Sequence, residues 1–228
     1  MSSRLEPYQT QLIEQSMSVG ALTFGSFTLK SGRVSPYFFN AGLISTGPLL
    51  YTLASAYAHT IIQSLSSLSS PLPPFDVLFG PAYKGISLAA CTTLLLYQEH
   101  GLEVGFACAR KEKKQYAEGG YMVGVSIEGK KVLILDDVMT SGSTVRGAFD
   151  TIVRQGGEVV GVVLTLDREE VGQEGRNTVQ EIEDLVGGPG RVKAVLKMRD
   201  LMLWLDEAGE TVSLARMQEY RDQYRIKE

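Results

Sequence analysis

The sequence predicts an α/β fold in which a central, mainly parallel sheet is flanked by helices. Two observations predict it: four apolar runs of strand length occur after the first third of the chain, and segments with helical spacing separate several of them. A helix between two buried strands is the usual crossover, so right-handed βαβ units are the simplest topology. At 228 residues the chain fits one domain, residues 1–228, with a real hydrophobic core.

The first third of the chain has its own local patterns. Apolar residues at helical spacing predict an amphipathic opening helix that contains Leu5, Tyr8, Leu12, Ile13 and Met17. Residues 22–40 mix β-formers with Gly, Ser and Pro, which favours short strands and turns. Pro48 can open a helix, and an apolar stripe continues it to Leu65, where a Ser- and Pro-rich loop begins.

The remaining elements form the sheet and its covering helices. The four apolar runs are FDVLFG at 75–80, VGFACA at 104–109, KVLILDD at 131–137 and VVGVVLTLD at 159–167. Helical patterns occupy 85–100 and 143–155. A fifth strand near 192–196 and helices over about 198–208 and 211–225 complete the predicted domain.

Composition and charge exclude several classes of function. A formal net charge of −4 gives no overall basic surface for nucleic acid or for a membrane. Cys91 and Cys108 lie in apolar runs without nearby ligand partners, which favours buried free thiols over zinc or a disulfide. The N-terminus has no apolar signal core, so we expect a cytoplasmic protein.

The strongest chemical signal is KVLILDDVMTSGSTVRGA, a buried strand that ends in two carboxylates and continues through small residues into a helix. Asp136 and Asp137 would lie at the edge where α/β sheets bind ligands, and they could hold ribose hydroxyls. The turn from Thr140 to Thr144 combines hydroxyls, backbone N–H groups and a helix start, which suits a phosphate. Taken singly, each piece could be an ordinary cap or turn. Other nucleotide motifs are missing, because GPAYKGIS lacks the P-loop lysine and no strand leads into G-x-G-x-x-G.

The whole motif resembles the phosphoribosyl pyrophosphate motif of type I phosphoribosyltransferases. Four further segments, in order along the chain, resemble the orotate phosphoribosyltransferases within that class, in their single-function fungal and bacterial form. They are FTLKSGRVSPYFFN at 27–40, FGPAYKGI at 79–86, ARKEKKQYAEGG at 109–120 and LDRE at 166–169. The resemblance implies the type I fold, with a small N-terminal hood at about 1–45 and a mobile lid loop at about 109–121.

The resemblance implies two groups of substrate contacts and a catalytic set. The orotate contacts would be Lys30, Phe38, Phe39, Thr140 and Arg168, with the Arg168 fork suited to the orotate carboxylate. The phosphoribosyl pyrophosphate contacts would be Lys30, Tyr83, Lys84, Arg110, Lys111, Lys114, Tyr116, Asp136, Asp137, Val138, Met139, Thr140, Ser141, Gly142, Ser143 and Thr144. The catalytic residues would be Lys111, Asp136 and Asp137. Without the resemblance, Arg168 and Lys84 would be interpreted as surface charges, and Phe38 and Phe39 would be interpreted as core residues.

The lid segment differs from the family's usual D-H-G-E-G-G, because this chain has Q-Y-A-E-G-G. Tyr116 stands where the family usually has histidine, and the chain's two histidines, His59 and His100, lie in predicted helices. A neutral phenol can donate a hydrogen bond but brings no positive charge, so we expect weaker stabilisation of the leaving pyrophosphate. The family's lid closes over the neighbouring subunit's site, which implies a homodimer.

The implied reaction is displacement at the ribose anomeric carbon by orotate N1, with pyrophosphate leaving and orotidine 5′-phosphate formed on the way to UMP. Mg²⁺ would be the cofactor, bound through substrate oxygens and water with no direct protein ligand.

Three alternatives stay open: a purine or uracil transferase, a regulator that binds phosphoribosyl pyrophosphate without turnover, and an α/β domain with coincidental motifs. The full set of segments favours the orotate enzyme.

Overall fold

The computed structural model describes residues 4–29, 31–69, 71–110, 122–139, 141–171 and 178–225. Its helices are α1 Pro7–Ser18, α2 Gly47–Leu65, α3 Lys84–His100, α4 Ser143–Arg154, α5 Thr178–Leu185, α6 Met198–Glu207 and α7 Thr211–Tyr224. Its strands are β1 Leu22–Thr28, β2 Val34–Phe39, β3 Val77–Gly80, β4 Gly105–Ala109, β5 Met122–Gly124, β6 Lys131–Val138, β7 Glu158–Asp167 and β8 Val192–Lys197.

The central sheet has the strand order β5-β4-β3-β6-β7-β8. Its strands pair in parallel, except that β5 runs antiparallel to β4 at one edge. The predicted α/β fold with a mainly parallel sheet is therefore confirmed. Strands β6 and β7 lie in the interior of this order, which explains their nearly continuous apolar sequences, because both faces are covered.

Successive residues of β6 contribute to the cores on the two faces of the sheet. Leu133 and Leu135 belong to the cluster that contains residues of α1, α2, α3, α6 and α7. Val132 and Ile134 belong to the second cluster, which contains residues of α4 and α5. Because side chains alternate between the two faces of a strand, both faces of β6 pack against helices. The carboxyl end of β6 is therefore held between two packed layers.

The N-terminal segment forms a small sheet of its own. Strands β1 and β2 pair antiparallel, with an irregularity between Phe24 and Phe27. This confirms the short strands predicted over 22–40. Helix α7 contacts β2, so the far end of the chain packs beside this hairpin.

Three details differ from the sequence-based expectations. Neither β5 nor α5 was predicted, because the first has three residues and the second buries only Ile182 fully. Both cysteines are free thiols and Cys108 is buried, as predicted, but Cys91 is only half-buried, so the prediction of burial was wrong for Cys91. In the described part of the chain, no helix is both long and apolar enough to cross a membrane.

Candidate active site

The carboxyl ends of three neighbouring strands bring the candidate site residues to one edge of the sheet. Strands β3, β6 and β7 are adjacent in the sheet and run parallel. Lys84 follows β3, Asp136 and Asp137 lie near the end of β6, and Arg168 follows β7. This is the edge at which open α/β sheets bind their ligands.

The two adjacent aspartates are buried and differ in their electrostatic surroundings. Asp136 and Asp137 are only 6% and 8% exposed. Burial, reinforced by the neighbouring charge of Asp137, raises the pKa of Asp136 to about 6. Lys84 Nζ donates to Asp137 Oδ2, and the two side chains form an ion pair across the gap between β3 and β6. About half of the Lys84 side chain is exposed, so its ammonium can also reach a ligand in the cleft.

A buried hydroxyl pair supports the strand beneath these carboxylates. The Tyr57 hydroxyl, from the middle of α2, donates to the backbone oxygen of Asp136 at 2.7 Å. The same hydroxyl lies 2.5 Å from Thr165 Oγ1 on β7. Burial raises the pKa of Tyr57 well above its usual value, so the phenol keeps its proton and remains a donor. Helix α2 is thereby bonded to the end of β6.

The turn between β3 and α3 is held close to the sheet by two glycines. A Cβ atom on Gly80 would lie 2.1 Å from the Gly85 carbonyl oxygen, and one on Gly85 would lie 3.0 Å from the Leu135 carbonyl oxygen. The Ala82–Tyr83 peptide bond in this turn is cis. Tyr83 is 70% exposed, and Lys84 begins α3. The close approach of the backbone places Lys84 against β6.

The segment after the aspartates leads into the start of α4. Val138 ends β6 and Met139 after it is buried, while Ser141, Ser143 and Thr144 are exposed. Gly142, with φ of +72°, is the residue before the first turn of α4. The exposed hydroxyls and the free N–H groups of that turn form a surface suited to an anion.

Arg168 lies under the N-terminal hairpin and not on the open surface. It is only 7% exposed, and its guanidinium carbon lies 4.3 Å from the centre of the Tyr37 ring. Its Nη2 donates to Ser35 Oγ at 2.9 Å, and its Nε donates to Glu170 Oε1 at 2.7 Å. The neighbouring negative charge offsets the desolvation of the guanidinium, so the pKa of Arg168 is raised and the group stays charged.

The two predicted phenylalanines lie on opposite faces of β2. Phe38 is 42% exposed and its ring centre lies 5.7 Å from that of Phe27. Phe39 is buried, and the alternation along the strand places it on the face of Tyr37, the residue that stacks on Arg168. Of the two rings, Phe39 is therefore on the side of the hairpin that faces Arg168.

Part of the predicted site lies outside the described residues: Lys30, Lys111, Lys114, Tyr116 and Thr140. Arg110 is described, and it is half-buried directly after β4, the strand beside β3.

Sequence reasoning missed two residues of the site: Tyr57, which contacts Asp136, and Glu170, which contacts Arg168. Their partners are fixed by tertiary structure, and no local motif marks either residue.

The fold and this edge of the sheet define a type I phosphoribosyltransferase. Residues 58–193 match the family described as the phosphoribosyl transferase domain. The chain is 46% identical to the orotate phosphoribosyltransferase of Acinetobacter baylyi over 214 residues, which cover 94% of each protein. It belongs to the orotate phosphoribosyltransferase family.

Two further comparisons agree with this membership. The orotate phosphoribosyltransferase of Kluyveromyces lactis is 42% identical over 231 residues, which cover 98% of each chain. The crystal structure of the orotate phosphoribosyltransferase of Francisella tularensis has 36% sequence identity and a TM-score of 0.81. That comparison covers 94% of this chain and 99% of the other.

Proposed function

We propose that the cleft at the carboxyl ends of β3, β6 and β7 carries out the family's reaction, in which orotate and phosphoribosyl pyrophosphate give orotidine 5′-phosphate and pyrophosphate. This is a glycosyl transfer in pyrimidine biosynthesis. The observation that carries the proposal is the buried Asp136–Asp137 pair, with Lys84 on one side and the start of α4 on the other. No nucleophilic side chain is needed, because orotate N1 itself attacks the anomeric carbon.

The charges in the cleft match the parts of phosphoribosyl pyrophosphate. Asp136 and Asp137 would accept hydrogen bonds from the ribose hydroxyls, and the Ser141–Thr144 turn would bind the 5′-phosphate. Lys84, together with Tyr83 and Arg110, would face the departing pyrophosphate. The lid residues Lys111 and Lys114 would complete the positive surroundings when the lid closes. Cations placed where negative charge develops lower the barrier to departure of the leaving group.

We also propose that Mg²⁺ acts as the cofactor. Carboxylate oxygens are the hard ligands that this ion prefers, so Asp136 and Asp137 are compatible with it. The described residues contain no group of three or more His, Cys, Asp or Glu that could hold a metal. The ion would therefore be bound mainly through substrate oxygens and water. When bound, it would neutralise part of the negative charge on the pyrophosphate.

At the other end of the site, Arg168 would pair with the orotate carboxylate. The contacts of Arg168 with Ser35 and Tyr37 place it beside β2, so the hairpin and the sheet would enclose the orotate together. Phe39 lies on this side and would contact the ring, and Phe38 would contribute through its backbone.

We further propose a homodimer in which each lid closes over the partner's site, and a cytoplasmic location.

The experiment follows orotate consumption by absorbance with phosphoribosyl pyrophosphate, with and without Mg²⁺, beside uracil, hypoxanthine and adenine. We expect turnover of orotate alone, and loss of turnover without Mg²⁺. We expect the Tyr116→His variant to be faster, because an imidazolium adds positive charge at the leaving group. Turnover of another base would contradict the substrate assignment, and binding of phosphoribosyl pyrophosphate without any turnover would indicate a regulator.

A further inference from the structure

Glu170 contacts one edge of the Arg168 guanidinium. Glu170 Oε1 accepts from Arg168 Nε at 2.7 Å and lies 2.7 Å from Arg168 Nη2. The carboxylate thus occupies the side edge of the planar fork, and Ser35 Oγ takes another Nη2 hydrogen at 2.9 Å. Within the described residues, the hydrogen bonds of Arg168 come from Nε and Nη2 and none comes from Nη1, while the buried Tyr220 hydroxyl lies close to both Arg168 and Glu170 without a hydrogen bond of its own. Nη1 is the nitrogen left to bind a carboxylate.

Glu170 is itself held from a second direction. Its Oε2 lies 3.5 Å from Arg33 Nη1, and the same Nη1 donates to the Val171 carbonyl at 2.8 Å. The Glu170 side chain is 12% exposed. A carboxylate fixed between two guanidinium groups has little freedom to rotate, so it holds the Arg168 side chain in one orientation.

The last turn of α7 holds the backbone of the same segment. The Val171 N–H donates to the Tyr224 carbonyl at 2.9 Å, and Glu170 forms an antiparallel bridge with Arg225. The Tyr224 ring lies 4.7 Å from the guanidinium carbon of Arg33. The end of α7 is therefore hydrogen-bonded to the segment that carries Glu170, although the two are about 50 residues apart along the chain.

We propose that Glu170 is a positioning residue for orotate recognition: it orients Arg168 so that Nη1 meets the orotate carboxylate. This rests on the proposed role of Arg168. The arrangement also has a charge rationale, because the two arginines and one glutamate carry one net positive charge, which a bound carboxylate would neutralise. A buried arginine without its carboxylate partner would reorient towards solvent, and orotate would then have to draw it back.

The test compares steady-state KM values for the two substrates in wild type, Glu170→Gln, Arg168→Met and the double variant. We expect Glu170→Gln to raise the orotate KM by roughly tenfold, the effect of losing one charge-assisted bond, with the KM for phosphoribosyl pyrophosphate unchanged. In the Arg168→Met background, Glu170→Gln should add no further rise. Glu183→Gln is the control, because Glu183 accepts N–H bonds from Gly190 and Val192 at the start of β8, away from Arg168.

Two results would overturn the proposal in distinguishable ways. If Arg168→Met leaves the orotate KM unchanged, the role of Arg168 is wrong and the role of Glu170 falls with it. If Arg168→Met raises that KM while Glu170→Gln does not, or raises both KM values together, only the positioning role is wrong. Should Glu170→Gln fail to fold, Glu170→Asp decides, because the shorter side chain keeps the charge but withdraws the carboxylate from Arg168 Nε. We expect Glu170→Asp to raise the orotate KM alone, and an unchanged value would reject the proposal.

Discussion

The Tyr57 hydroxyl donates to the backbone oxygen of Asp136 at 2.7 Å, which joins the middle of α2 to the carboxyl end of β6. Tyr57 and its second partner, Thr165, are both fully buried. The hydrogen bond fixes the last residues of β6, which include Asp136 and Asp137. The carboxylates of the proposed ribose site are therefore supported by Tyr57, a residue that lies in the core.

Replacement of Tyr57 by Phe should destabilise the protein by about 1–3 kcal/mol, because it leaves the Asp136 carbonyl and the Thr165 hydroxyl buried and short of a partner. The free energy of unfolding can be measured in urea. The matched control is Tyr51→Phe on the same helix, since the Tyr51 hydroxyl bonds to Glu99 at an exposed position. Equal losses in the two variants would contradict the importance of the Tyr57 bond.

Replacement of Asp136 by Asn should stabilise the protein at neutral pH while it lowers activity. The pKa of Asp136 rises from 3.8 to about 6, so ionisation of the folded form is unfavourable by up to about 3 kcal/mol. Because the pKa is raised, wild-type stability falls as the pH rises from about 4 to about 6. Asn does not ionise, so the stability advantage of the variant should appear across this interval and be small at pH 4.

Urea unfolding at pH 4, 5, 6 and 7 checks this expectation, with turnover assayed at pH 7. The predicted signature is a gap between variant and wild type that widens with pH, together with reduced kcat/KM for phosphoribosyl pyrophosphate. A gap that stays constant over the four values would show that Asp136 is not the group that titrates. A fully active Asn variant would remove Asp136 from the proposed ribose site.

Replacement of Lys84 by Met should lower kcat/KM for phosphoribosyl pyrophosphate by roughly 10- to 100-fold, because the variant loses the cation that pairs with Asp137 and that is proposed to face the leaving group. The orotate KM should change little. Lys131→Met is the control, since Lys131 is an exposed lysine that begins β6 at the opposite edge of the sheet. Similar kinetics for the two variants would argue against a role for Lys84 in pyrophosphate departure.

The sequence was most informative where a pattern is local and repeated. The apolar runs of β3, β4, β6 and β7 predicted their strands to within about two residues, because burial on both sheet faces demands continuous apolar sequence. The Asp136–Asp137 pair was found for a related reason, since the apolar strand, the two carboxylates and the small-residue turn form one continuous motif.

The sequence was least informative where a contact joins distant parts of the chain. Ser35 and Glu170 flank Arg168 in space but are separated from each other by over a hundred residues, and the pairing of α7 with Val171 has no local signature. Edge elements were also missed. Strand β5 has three residues and only half-buried or exposed side chains, which leaves no hydrophobic pattern to detect.

Two glycine-to-alanine substitutions should have opposite effects on stability. At Gly80 the added Cβ would lie 2.1 Å from the Gly85 carbonyl oxygen, which is backbone and has little room to move. We expect Gly80→Ala to cost about 1–3 kcal/mol or more, and to displace Lys84 from Asp137. At Gly147, an exposed position inside α4, a Cβ meets nothing within 4 Å, so Gly147→Ala should stabilise by about 0.5–1 kcal/mol with activity unchanged. Thermal unfolding with parallel kinetics measures both effects, and a Gly80→Ala variant with wild-type stability and KM for phosphoribosyl pyrophosphate would show that the β3–α3 turn does not need its close approach.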